Sequence, residues 1–164
     1  LKGRLFVEDL KVKKIGVIRA DEAGMRLELN QAYAPALTGI EGFSHLNILW
    51  WFSQCDNVPS RNQLVEHSPY KSAPAYMGTF ATRSPERPNP IALSCVQVTY
   101  IDHQNAVIGL AYIDANDSTP VLDIKPYTPS LDRVENPAVP EWCADWPKCY
   151  EDSEDFNWDS VFNF

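Results

Sequence analysis

Apolar and polar residues alternate in short runs along most of the chain, and those runs predict strands. Lys14-Ile15-Gly16-Val17-Ile18-Arg19 and Met25-Arg26-Leu27-Glu28-Leu29 are β-type segments, and Asp21-Glu22-Ala23-Gly24 between them has the composition of a turn. The pair reads as a hairpin. Phe43 to Phe52 is a longer apolar and aromatic run, predicted to be a central strand. Tyr76 to Ala81, Ile91 to Ile101, Ala106 to Ile113 and Val121-Leu122-Asp123-Ile124 complete the set, with His103-Gln104-Asn105 as a turn. Gln31 to Leu37 predicts one short helix before Gly39. Asn57 to Pro74 is polar and carries Pro59, Pro69 and Pro74, which predicts a loop or a short helical excursion. The pattern is that of an all-β barrel or sandwich. No helical periodicity alternates with the strands, which disfavours a doubly wound nucleotide-binding fold.

Composition narrows the class. The 164 residues are 45% hydrophobic and 22% charged, values of an ordinary globular domain with room for a core. The longest strongly apolar stretch, Ile48 to Phe52, is far short of the roughly 20 residues of a membrane-spanning helix. Leu1 to Lys14 has five positive charges and no apolar run after them, so no signal peptide is expected. Cys143 and Cys149 lack metal-ligand spacing and a nearby His; no metal is expected, and they are either reduced thiols or a disulfide. The formal charge of −8 argues against a polyanionic partner until it is divided along the chain. Residues 1–134 carry 13 Lys or Arg against 14 Asp or Glu, a net of −1; residues 135–164 carry Lys148 against eight acidic residues, a net of −7. The acidity belongs to the end of the chain. That segment also holds Trp142, Trp146, Phe156, Trp158, Phe162 and Phe164. Disordered acidic tails have few aromatics, so residues 135–164 are expected to form an acidic, aromatic extension packed on a barrel domain of residues 1–134 or on a partner chain.

Three segments carry candidate chemistry. Residues 82–90, Thr-Arg-Ser-Pro-Glu-Arg-Pro-Asn-Pro, hold three prolines in six residues, which excludes helix and sheet interior and stiffens the loop. Arg83 and Arg87 on such a loop suit bidentate binding of a carboxylate or phosphate; the competing reading is local pairing with Asp or Glu. In Asp117-Ser118-Thr119-Pro120-Val121-Leu122-Asp123-Ile124-Lys125-Pro126-Tyr127, a polar turn precedes a short strand. Asp123 and Lys125 share a face there, either as site residues or as a plain salt bridge. In Gly39-Ile40-Glu41-Gly42-Phe43-Ser44-His45, His45 is either a proton-handling group or a structural histidine. His67 and His103 receive no role.

Together with Ile15-Gly16-Val17-Ile18-Arg19, these segments resemble the TrmO (TsaA-like) family of S-adenosylmethionine-dependent tRNA methyltransferases across roughly residues 15–130. The resemblance implies a small single-domain β-barrel with short helical or loop excursions, a cytoplasmic homodimer, and N6-methylation of threonylcarbamoyladenosine beside the tRNA anticodon. Carried over by motif, it implies S-adenosylmethionine contacts at Phe52, Ser53, Arg83, Leu93 and Asp117, Ser118, Thr119 and Pro120. Arg87, Asn89, Lys125 and Tyr127 are candidates for substrate binding, and His45, Asp123 and Lys125 for proton handling or site architecture. Methyl transfer is an in-line displacement whose reactive centre the cofactor supplies, so few catalytic side chains are needed.

The sequence also departs from the family pattern. The segment after the first strand is shortened to Ala20-Asp21-Glu22-Ala23-Gly24, Phe52 is followed by Ser53 where a His is familiar, and Ser118 stands in a turn that is usually Asp-Gly-Thr-Pro. His67-Ser68-Pro69-Tyr70-Lys71 replaces a Pro-Arg-x-Gly-Gly stretch. These changes bear on the substrate. The alternatives are a methyltransferase for a small molecule and a cofactor-binding module without catalysis.

Overall fold

The computed structural model describes residues 9–163, so the leader reading of residues 1–14 lies largely outside the described residues, as does Phe164. Its strands are β1 (Gly16–Asp21), β2 (Gly24–Leu29), β3 (His45–Trp51), β4 (Val65–His67), β5 (Tyr76–Gly78), β6 (Ile91–Asp102), β7 (Val107–Leu110) and β8 (Pro120–Pro126). Six close into a barrel in the order β1-β2-β7-β6-β3-β8, and β4 and β5 form a separate small hairpin between β3 and β6. Every barrel pairing is antiparallel.

Alternation decides which side chains fill the barrel. In β3, Leu46, Ile48 and Trp50 are buried, opposite Val96, Ser94 and Ala92 of β6, while His45, Asn47, Leu49 and Trp51 face outward. Ile18, Leu27, Ile108 and Val121 complete the centre. Full burial of each such aliphatic is worth roughly 1.5–3 kcal/mol. The indole of Trp50 donates to Ser94 Oγ at 3.0 Å, which satisfies its one polar atom inside the apolar interior. Gly16 is required by close approach: a Cβ there would sit 2.5 Å from the Glu28 carbonyl across the hairpin.

Several boundaries differ from those the pattern predicts. The central strand starts at His45, since the turn through Gly42 (φ +89°) precedes it, and stops at Trp51. Gln31–Leu37 is helical but wound as a 3-10 helix, with Pro35 inside and Asn30 capping the Ala32 amide at 3.0 Å. The strand at Tyr76 ends at Gly78, and Thr79–Ala81 is a 3-10 turn. The polar stretch from Asn57 contains the one-turn helix Val58–Arg61 and also β4, too short to leave a pattern. β7 stops at Leu110, short of Ile113, whereas β8 runs past its predicted bounds to prolines at both termini, positions a strand tolerates.

The topology gives the barrel two ends. At one, the turn end, β1, β3 and β7 finish and β2, β6 and β8 begin. At the other, the Gly39 end, lie residues 30–44, the β6–β7 turn and Tyr127, whose amide donates to the His45 carbonyl at 3.1 Å. A cavity of about 370 Å³ opens at the Gly39 end, lined by Tyr33, Leu37, Ile40, Phe43 and Ile124 among others.

The C-terminal segment packs through its rings. Tyr70, between β4 and β5, stacks on Trp142 (5.1 Å, 13°) and meets Trp146 edge-on. Trp146 in turn meets Trp142 and Trp158 edge-on. The backbone follows: Lys71 N donates to Val161 O, Asn163 N to Pro69 O, and Lys71 Nζ to Asp159 O. Further along, Tyr150 lies edge-on to His45 at 5.4 Å on the outer barrel wall.

Candidate functional site

The turn end collects one set of candidate residues. Phe52 follows β3, its amide bonded to Pro90 O and its ring 4.6 Å from that of Trp50. Ser53 begins the next 3-10 turn. Leu93 lies near the start of β6, half exposed, and its carbonyl accepts from Arg83 Nη2 at 2.6 Å. Asp117 to Pro120 form the turn into β8. That turn is bonded to β1 through Ser118 N to Ile18 O and Ile18 N to Thr119 O, both at 2.8 Å. Connections from three different strand ends thus meet here.

The Arg-bearing loop has its shape fixed by its own side chains. Arg87 turns its guanidinium back on the loop, donating to the carbonyls of Ser84 (2.8 Å), Thr82 (2.9 Å) and Thr79 (3.2 Å). Buried Ser60 donates to Glu86 at 3.1 Å, and Arg61 donates to Pro88 O while its ion pair with Asp56 and its stacking on Trp51 fix its position. Arg83, by contrast, is exposed and forms no ion pair among the described residues. The two arginines therefore differ in kind: Arg87 holds the loop and Arg83 is available to a ligand. Asn89, on the same loop, is exposed.

Asp117 is held ionised. The Ser118 hydroxyl (2.8 Å), the Ala20 amide (3.1 Å) and the Arg19 guanidinium (3.5 Å) keep its carboxyl below the usual aspartate range. A carboxylate has about four acceptor positions, so two hydrogen bonds leave room for a ligand donor. Ser118, at φ +65°, takes the left-handed conformation that a Gly would enter freely.

Behind this turn lies a network that strand patterning alone did not single out. Arg19 and Arg26 stand directly opposite on β1 and β2, an unfavourable like-charge pair. Glu28 bridges them, accepting from Arg19 Nε at 2.9 Å and Arg26 Nε at 3.0 Å, and Asp21 binds Arg26 bidentately. Outward alternation on the two paired strands was the available signal. Bonding to Arg19 first of all lowers the Glu28 carboxyl, and bonding to Arg26 lowers that of Asp21. For carboxyls lowered in the folded state, the stability they contribute is present above their unfolded pKa and lost as pH falls through the folded values. Melting temperature is therefore expected to be level from pH 8 to 5 and to fall below about pH 4, where free carboxylates titrate. Glu28→Gln should fall less steeply in thermal melts across that range.

The remaining candidates lie elsewhere. His45 and Tyr127 sit at the Gly39 end, their rings 6.4 Å apart. Asp123 and Lys125 point outward from β8 and pair with each other at 2.7 Å, and that pairing raises the Lys125 ammonium. The structure does not bring His45, Tyr127 and Lys125 to the turn end; Asp123, paired with Leu49, stands level with Leu93 but two strands away from it. Among the described residues no three metal-ligating side chains cluster, and no helix is long and apolar enough to cross a membrane.

Comparison with known proteins identifies the family to which the barrel belongs. Residues 15–133 match the family model of the tRNA-methyltransferase O N-terminal domain, a span that contains the whole barrel and both loops of the turn end. The chain belongs to this family. A tRNA (adenine(37)-N6)-methyltransferase of Escherichia coli is 40% identical over 121 residues, 73% of this chain and 51% of that protein. An S-adenosyl-L-methionine-binding protein of Archaeoglobus fulgidus is 34% identical over 116 residues, 71% of this chain and 78% of that protein. The crystal structure of TrmO from Pseudomonas aeruginosa superposes with a TM-score of 0.61 at 30% identity, covering 80% of this chain and 62% of that one. The chain spans about half the length of several curated relatives it matches, 37% to 55% of the first three.

Proposed function

We propose that the protein is an S-adenosylmethionine-dependent methyltransferase acting on N6 of threonylcarbamoyladenosine beside the tRNA anticodon. The observation that carries this is the 40% identity to a tRNA (adenine(37)-N6)-methyltransferase over nearly three quarters of the chain. The residues of the turn end fit the cofactor chemically. Arg83 offers a cation for a carboxylate, Asp117 an ionised acceptor for hydroxyl or amino groups, and Phe52 and Leu93 an apolar wall. When bound, the cofactor supplies an electrophilic methyl group on a sulfonium. The protein's part is to orient it: Asp117 through a turn tied to β1, Arg83 through a loop held by Arg87. The proposal extends to a cytoplasmic homodimer on the strength of the family resemblance, and to residues 135–164 as an extension distinct from the barrel domain. A small-molecule acceptor is the second reading, favoured by the altered loops at residues 20–24 and 67–71, at Ser53 and at Ser118, and by the low basic content of the chain.

The test is methyl transfer from labelled S-adenosylmethionine to two tRNA pools, one bearing threonylcarbamoyladenosine and one from cells unable to make it. Label is expected only in the first, in the N6-methylated nucleoside. Labelling of neither tRNA, with label entering a metabolite extract, would establish the second reading instead.

A further inference from the structure

The 3-10 turn Thr79–Ala81 projects a ring into solvent from a rigid support. Phe80 is 84% exposed, whereas its neighbours Thr79 and Thr82 are buried. The backbone on both sides is fixed. Thr79 N donates to Leu64 O and its hydroxyl to Gln63 O, and the Thr82 hydroxyl donates to Thr79 O. The Arg87 guanidinium then grips the carbonyls of Thr79 and Thr82. These bonds hold the backbone that carries the ring at the surface. Three other exposed aromatics have ring or backbone cover: Tyr76 meets His67 edge-on, Tyr150 meets His45, and Tyr100 lies over Gly109. Among the described residues Phe80 makes no ring contact. Three residues on, Arg83 is exposed, carries an unpaired positive charge and bonds to the carbonyl of half-exposed Leu93.

An exposed ring on a fixed backbone, three residues before the Arg83 assigned to the cofactor's carboxylate, is placed to meet a nucleic-acid base near the methyl donor, since an aromatic π-face stacks on any base. An apolar protein partner would be matched by the ring but not by the polar, charge-bearing 82–87 loop that follows it. We infer that Phe80 is a stacking platform for an unpaired base of the RNA substrate, on the same loop that presents Arg83 to the cofactor. The inference rests on the RNA reading of the turn end and deepens it by naming the residue that engages the loop.

The test is direct binding of an RNA hairpin carrying 2-aminopurine in an unpaired loop, followed by fluorescence quenching, with sedimentation velocity run in parallel. Phe80→Ala is expected to weaken binding by about 5- to 150-fold, the range measured for loss of one base–aromatic stack, and to abolish the quench. Phe80→Trp should keep both. Binding of S-adenosylmethionine and the melting temperature should be unchanged in both variants, which separates stacking from a structural role. Unchanged hairpin affinity in Phe80→Ala overturns the inference, as does absence of hairpin binding by the unsubstituted protein. A shift of Phe80→Ala to a smaller species overturns it too, since the ring would then be a contact between copies of the chain. Phe80-dependent binding without methyl transfer leaves the inference standing and removes the proposed function; methyl transfer to tRNA with unaltered KM in Phe80→Ala does the reverse.

Discussion

Arg83→Ala is expected to bind S-adenosylmethionine about 10- to 150-fold more weakly while melting within about 1 °C of the unsubstituted protein. The range follows from the 1.5–3 kcal/mol of a hydrogen bond to a charged group. The near-constant melting temperature follows from geometry: the side chain is exposed and its one intramolecular bond, to Leu93 O, reaches a carbonyl that also faces water. Arg87→Ala is expected to behave in the opposite order. It removes three bonds to backbone carbonyls that are partly withdrawn from water, and those acceptors then lose their partners. A loss of about 2–3 kcal/mol, or roughly 4–12 °C, is the expected scale for a domain of this size. Arg87→Lys should restore little of it, since a single ammonium lacks the planar fork that reaches three carbonyls at once. Calorimetric melts and isothermal titration on the three variants check the contrast. Equal effects of the two alanine substitutions on melting would show that the loop does not depend on Arg87 as argued.

That contrast also marks where sequence reasoning reaches its limit. Two arginines four residues apart in a proline-rich loop are chemically alike on paper, and the resemblance to the family assigns one to cofactor and one to substrate. Only the folded loop distinguishes them, because the carbonyls that capture Arg87 come from Thr79 in a 3-10 turn with no sequence signature of its own and from Thr82 and Ser84 just beyond it. The barrel was far more legible. β3 and β6 write their burial directly in alternation, and the Asp123–Lys125 pair follows from a two-residue spacing on one strand. Closure was not legible locally: that β1 pairs with β8, and so ties Asp117 to Ala20, depends on contacts about a hundred residues apart. The same long-range pairing places His45 and Tyr127 at the Gly39 end, away from Phe52 and Asp117, although His45 and Phe52 lie on or beside the same strand.

The acidic tail offers the other large expected effect. Trp146→Ala should release residues 140–163 from the barrel without unfolding it. Trp146 is the centre of the cluster, touching Tyr70, Trp142 and Trp158, each at 5.3–5.4 Å. Ring pairs of this geometry are worth about 0.5–1.5 kcal/mol each beyond their buried area. The Tyr70 pair joins the tail to the β4–β5 loop directly, and the Trp142 and Trp158 pairs hold the tail in the shape that docks. Their joint loss, together with the ring's buried area, is of the order that shifts a docking equilibrium at least 10-fold. None of the barrel's core residues takes part, since Ile48, Trp50 and Val96 belong to a separate cluster. Cys95 is the reporter. It lies on the outward face of β6, opposite Asn47, where burial and then the carboxylates of Asp132 and Glu151 raise its thiol above the usual range. Glu151 and Tyr150 are part of the tail, so release both uncovers the sulfur and removes a neighbouring negative charge, and thiolate reactivity rises on both counts. Alkylation of Cys95 by iodoacetamide, followed by mass spectrometry with Cys55 at the far end of β3 as internal reference, should accelerate at least 10-fold in Trp146→Ala. Hydrogen exchange at the Lys71 amide, which donates to Val161 O, should accelerate with it. If Cys95 reacts at its original rate and Lys71 stays protected, the rings do not hold the tail. The backbone bonds of Ser68–Lys71 to Val161 and Asn163 would then be the true attachment.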